Sequence, residues 1–190
     1  MPDFPIKLCG ETSEKFLLHN IKSFHKAIHW IHQLPYGRNT NRSDYFSIFE
    51  ELHGTCSTKH AALAALAFEH KHEISLIMAI CKLDHNTNKV MQEILQNLNV
   101  SYFPEAHCFI RYNTVDLDLT FPDKDTVPEL SILQEYVINP NDIGDFKVSM
   151  HHSYIKSWMV SNKLSSKYSF TEILGFREQF IASLGSQYYA

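Results

Sequence analysis

Glu50-Glu51-Leu52-His53-Gly54-Thr55-Cys56-Ser57-Thr58-Lys59-His60-Ala61 leads straight into Ala62-Leu63-Ala64-Ala65-Leu66-Ala67. The alanine-rich part favours helix and is apolar on most sides, which predicts a buried helix. His53-Gly54-Thr55 interrupts the chain just ahead of it, so the helix is expected to start near Cys56, with Gly54 allowing a sharp backbone turn. A cysteine in a first helical turn sits among N–H groups that lack carbonyl partners, at the positive end of the helix dipole. Both favour thiolate over thiol. The same N–H groups can stabilise the oxyanion formed when a thiolate attacks a carbonyl. Lys59 and His60 can add positive charge if the helix points them toward the sulfur.

Upstream, Ile21, Phe24, Ile28, Ile31 and Leu34 recur at intervals of three and four, an amphipathic helix that stops at Leu34-Pro35. Residues 35–41 read as a loop, and Asp44 to Leu52 as a short helix. Downstream, Glu73 to Leu83 reads as an apolar strand, and Asp84 to Asn88 as a loop. Val90, Met91, Ile94, Leu95 and Leu98 mark another amphipathic helix. His107 to Tyr112 and Val115 to Thr120 read as two short strands joined by a tight turn at Asn113-Thr114. A loop is expected from Asp123 to Pro128, helix over 143–163, and a capping box at Ser169-Phe170-Thr171-Glu172 that opens a last helix running to about Leu184.

The hairpin supplies the thiolate with a proton partner. With Tyr112 opposite Val115, alternation places His107 on one face with Phe109, Arg111, Asp116, Asp118 and Thr120. Asp118 then lies one diagonal step from His107, within reach of a ring N–H. A carboxylate there fixes the tautomer and orientation of the imidazole, which leaves the other nitrogen to exchange a proton with Cys56. Asp116 has the same parity but lies farther along, so Asp118 is preferred and Asp116 is the alternative acid.

Gly54-Thr55-Cys56 opening an Ala-rich helix, His107 beginning a strand, and Asp118-Leu119-Thr120 ending the next resembles the transglutaminase-like branch of the papain-like superfamily. The resemblance covers about residues 30–122. It implies an α+β fold in which a Cys-bearing helix packs against an antiparallel sheet carrying the His and the Asp. It also implies thioester acyl-enzyme chemistry without a cofactor, as in transglutaminases, peptidases, amidases and deamidases. Phe109, two past the His, matches the family's usual aromatic. Thr58 stands where an acidic residue is frequent, and the second strand lacks the usual Trp. A second oxyanion donor usually comes from upstream, where Tyr36, Asn39 and Gln33 are the candidates, with Tyr36 preferred.

The remaining features bound the function further. The chain has 190 residues, 44% of them hydrophobic and 20% charged, which suits one globular domain over 1–190. Its core is expected at about 30–122, with a helical C-terminal extension at about 143–186. A formal net charge of −4 argues against nucleic acid and against an anionic membrane surface. Apolar runs such as Ala61–Phe68 are too short to span a bilayer, and the N-terminus lacks the pattern of a secretory signal, so the expected location is cytoplasmic. The cysteines at 9, 56, 81 and 108 form no CxxC pair and read as reduced thiols. His25, His29 and His32 share one helical face and could bind a transition metal, but no HExxH or nearby carboxylate completes a ligand set. No metal or cofactor is therefore expected.

The expected function is a thiol-dependent amide or ester hydrolase or acyl transferase acting on a protein, peptide or small amide or ester, with Cys56, His107 and Asp118 as the triad. Two other readings compete with it. One is a non-catalytic transglutaminase-like interaction module, and the other is a His-rich metal-binding protein.

Overall fold

A computed structural model describes residues 1–122 and 131–188, with side chains through residue 184. Its described residues form an α+β structure of seven α-helices and one four-stranded antiparallel sheet. The strands are β1 (Ile74–Leu83), β2 (Phe103–Tyr112), β3 (Val115–Leu117) and β4 (Ser131–Ile138), in the order β3-β2-β1-β4. As the central strand, β1 is buried along almost its whole length, which is why its sequence runs apolar without alternation.

The helix bearing Cys56, α4 (Cys56–Glu69), is buried from Ser57 through Ala67. Its alanines let the backbone approach the sheet closely, while Leu63 and Leu66 reach into a core shared with Leu76, Met78, Ile80, Cys108 and Ile110. Full burial of each leucine is worth about 1.5–3 kcal/mol. Around it stand α1 (Glu11–Leu18), α2 (Phe24–Gln33) and α3 (Ser47–Glu51). The end of α4 anchors α1: Glu69 accepts the Thr12 and Ser13 N–H groups at 2.8 and 2.7 Å, which satisfies two donors of the α1 first turn.

A second core joins α5 (Lys89–Leu98), α6 (Asp145–Ser161) and α7 (Phe170–Tyr188), and includes Leu95, Phe103, Trp158 and Phe180. The capping box at Ser169 forms, with Glu172 accepting the Ser169 N–H at 2.7 Å and its hydroxyl at 2.8 Å. Among the described residues, no helix is long and apolar enough to cross a membrane.

The hairpin pairs Tyr112 with Val115, Arg111 with Asp116 and Ile110 with Leu117. Asn113 supplies the positive φ of 53° that the turn needs without glycine. Two expectations are corrected. First, β2 begins at Phe103 rather than His107, because β1 pairs with it along its full length, from Ile74 opposite Tyr112 to Leu83 opposite Phe103. Second, β3 ends at Leu117 rather than Thr120, because the residues that follow bond to another element. Helix α1 and strand β4 fall in stretches to which the sequence reading assigns no element. The loop expected over Asp123–Pro128 lies outside the described residues.

Candidate active site

Residues 118–120 leave the β2 ladder because α4 offers their backbone other partners. The Leu119 N–H donates to His60 Nε2 at 2.7 Å. The carbonyls of Leu119 and Thr120 accept from Lys59 Nζ at 3.2 and 2.9 Å, and the Leu34 carbonyl accepts from the same ammonium at 2.6 Å. Lys59 and His60 are both fully buried. They pin the segment carrying Asp118 to the helix carrying Cys56. Burial lowers the Lys59 pKa to about 8 despite the Asp118 charge nearby, while three carbonyls accept its three protons.

Asp118 is thereby set beside His107. Its Oδ2 lies 2.7 Å from His107 Nε2, and its Oδ1 accepts the Thr120 N–H at 3.0 Å and hydroxyl at 2.6 Å. Nδ1 is the imidazole nitrogen that Asp118 does not engage. Asp116 is engaged elsewhere, in a bidentate pair with Arg111, which also bonds Glu135.

Cys56 is the first residue of α4 and remains partly exposed. Hydrogen bonding to Thr58 anchors the helix start: the Thr55 N–H donates to Thr58 Oγ1 at 3.0 Å, and that hydroxyl donates to Asn39 Oδ1 at 2.8 Å. Thr58 thus takes the N3 role in which a capping acid is common. Gly54 is needed for room rather than for a turn. No described glycine has positive φ, but a Cβ at 54 would stand 2.8 Å from Thr58 Oγ1 and 3.0 Å from Ile48 Cγ2. Its backbone bridges to the upstream loop, with the Gly54 N–H donating to the Pro35 carbonyl and the Gly37 N–H to the Gly54 carbonyl, each at 3.1 Å.

The sulfur's surroundings favour its charged form. A hydrogen bond from the Cys108 thiol, the Lys147 ammonium and the His107 imidazole together outweigh burial and bring the Cys56 pKa well below that of an ordinary thiol. The same bond, helped by burial, raises Cys108. Lys147 lies 3.9 Å from Cys56 Sγ and donates to Ser57 Oγ at 2.6 Å, and the Ser57 hydroxyl lies 3.7 Å from Cys108 Sγ. Burial opposes charge on His107, but Asp118 and Cys56 outweigh it and raise its pKa to about 10. Burial likewise opposes charge on Asp118, and the imidazolium overcomes it, holding the carboxyl well below its usual range. Each of these shifts favours a Cys56 thiolate and a His107 imidazolium backed by the Asp118 carboxylate.

Of the three candidate oxyanion donors, Tyr36 lines the cleft over Cys56, while Asn39 and Gln33 do not. Burial and the nearby Cys56 charge raise the Tyr36 pKa, so its hydroxyl keeps the proton it would donate. Both Asn39 amide protons are occupied, by Glu51 at 3.0 Å and the His53 carbonyl at 2.9 Å. Gln33 is exposed at the end of α2.

Lys147, Ser57 and Cys108 escaped the sequence reading. Lys147 is one of many scattered lysines, and only the packing of α6 brings it to the sulfur. The α2 histidines make other contacts: His25 Nε2 lies 2.9 Å from the Met1 carbonyl and His32 Nε2 2.9 Å from the Phe121 carbonyl. Among the described residues, no group of three or more His, Cys, Asp or Glu side chains is placed to hold a metal ion.

Comparison with family models, with curated proteins and with solved structures found no match.

Proposed function

We propose that this chain is a cysteine-dependent amide or ester hydrolase or acyl transferase of transglutaminase-like, papain-like design. The observation that carries the reading is the 2.7 Å contact between His107 Nε2 and Asp118 Oδ2, in a ring near enough to the helix-initial Cys56 that each shifts the other's pKa. Cys56 Sγ attacks the substrate carbonyl carbon. The carbonyl π-electrons move to oxygen, and the oxyanion is held by N–H groups of the first α4 turn and by the Tyr36 hydroxyl. His107 gives its proton to the leaving amine or alcohol as the C–N or C–O bond breaks, which leaves a thioester on Cys56. A water, or an acceptor amine, then loses its proton to His107 and attacks the thioester. Collapse releases the acid or the new amide and restores the thiolate beside the imidazolium. Asp118 stays ionised throughout and orients the ring.

Hydrolysis is the simpler outcome, because transfer requires an acceptor site that excludes water. The cleft over Cys56 encloses about 130 Å³, room for one side chain or a small acyl group. The test is a screen of peptide-Gln, peptide-Asn and acyl-ester substrates, with mass spectrometry of the protein during turnover. The reading expects an acyl adduct on Cys56 and no turnover by Cys56→Ala. Turnover that survives in Cys56→Ala, or no adduct with any acyl donor, goes against it.

A further inference from the structure

We infer that the cleft over Cys56 selects substrates bearing a carboxylate beside the scissile carbonyl, and that Arg42 receives that carboxylate. The inference rests on the function proposed above and adds the substrate's charge. Four cationic side chains line the cleft, Arg38, Arg42, Lys147 and Arg177, against one lining carboxylate, Glu105. This local excess stands out in a chain whose formal net charge is −4.

Three of the cations are already engaged. Arg177 makes a bidentate pair with Glu105 at 2.5 and 2.7 Å. Arg38 makes another with Glu178 at 2.5 and 2.9 Å. Lys147 serves Ser57 and the sulfur. Arg42 differs: it is exposed, and among the described residues no hydrogen bond or ion pair engages its guanidinium. Glu178 feels its charge, but both Glu178 oxygens are taken, one by Arg38 alone and one by Arg38 and Arg177. A guanidinium fork matches a carboxylate with two parallel N–H···O bonds, and one left unpaired on the wall of a small reactive cleft is poised to accept an incoming acid.

The test uses two alkylating agents with the same reactive carbon and the same leaving iodide, one anionic (iodoacetate) and one neutral (iodoacetamide). Rates at Cys56 and at the exposed Cys9 are read by peptide mass spectrometry on the full chain. The expected iodoacetate-to-iodoacetamide rate ratio is roughly threefold or more higher at Cys56 than at Cys9. Arg42→Gln should remove most of that excess and Arg42→Lys should retain much of it. Raising the salt from about 0.02 to about 0.5 M should shrink it. Equal ratios at the two cysteines, or an excess unchanged in Arg42→Gln, overturn the inference while leaving the thiolate chemistry intact. If both agents react at Cys56 no faster than at Cys9, the proposed function itself fails.

Discussion

His60 joins the peptide of Cys56 to the segment that carries Asp118: Nδ1 lies 2.7 Å from the Cys56 carbonyl oxygen and Nε2 accepts the Leu119 N–H at 2.7 Å. These two bonds require the neutral ring protonated on Nδ1, and burial lowers the pKa in that same direction. His60→Leu removes both bonds at a buried position and leaves the Leu119 N–H unsatisfied. The expected loss is about 1–3 kcal/mol of stability, read as a lower urea midpoint, with slower alkylation of Cys56 as Asp118 loses its anchor.

Asp118 and Asp116 should separate cleanly. Asp118→Asn removes the charge that holds the imidazolium, so Cys56 alkylation at neutral pH is expected to fall by roughly tenfold or more. Asp116→Asn touches only the surface pair with Arg111 and is expected to change that rate by less than about twofold. Equal effects from the two variants would contradict the geometry at the end of β3.

Lys147 stabilises the thiolate from outside the hairpin and α4. In Lys147→Met, the pH at which Cys56 becomes reactive is expected to move upward, and iodoacetamide alkylation at neutral pH to slow by roughly three- to tenfold. Rescue at higher pH distinguishes loss of the charge from loss of the fold, since a misfolded site would not recover its rate as the thiol ionises.

The stability due to His107 has a definite sign. Its folded pKa, about 10, lies above the ordinary imidazole value near 6.5, so the contribution is fully present below about pH 6.5 and is lost as pH rises through about 10. The difference in unfolding free energy between the native chain and His107→Ala should therefore shrink between pH 7 and pH 10.5. A difference that grows over that range would mean that the ring is neutral in the folded protein.

Much of the geometry around the candidate site was legible in sequence because its parts are local patterns. The Gly54-Thr55-Cys56 start of an alanine-rich helix and the hairpin register through Asn113-Thr114 both follow from short-range rules. What the sequence hid was long-range pairing. The end of β3 depends on Lys59 and His60, which replace ladder bonds from a different element. Strand β4 lacks clean alternation, pairing with β1 across a register shift between Ile80 and Cys81, and most of its side chains are exposed. Lys147 and Arg177 reach the cleft only because α6 and α7 fold back onto it. Gly54 was expected for its freedom to turn, whereas its use is the absence of a Cβ against Thr58 and Ile48.

Competitive alkylation of the four cysteines near pH 6.5 by iodoacetamide, followed peptide by peptide, reads out whether Cys56 is an activated thiolate. Cys9 is exposed and serves as the reference, Cys81 and Cys108 are buried, and burial pushes the Cys81 thiol up to about 12. Cys56 is expected to react at least about tenfold faster than Cys9 and to lose that advantage in His107→Ala. A Cys56 no faster than Cys9, or one indifferent to His107, would contradict it.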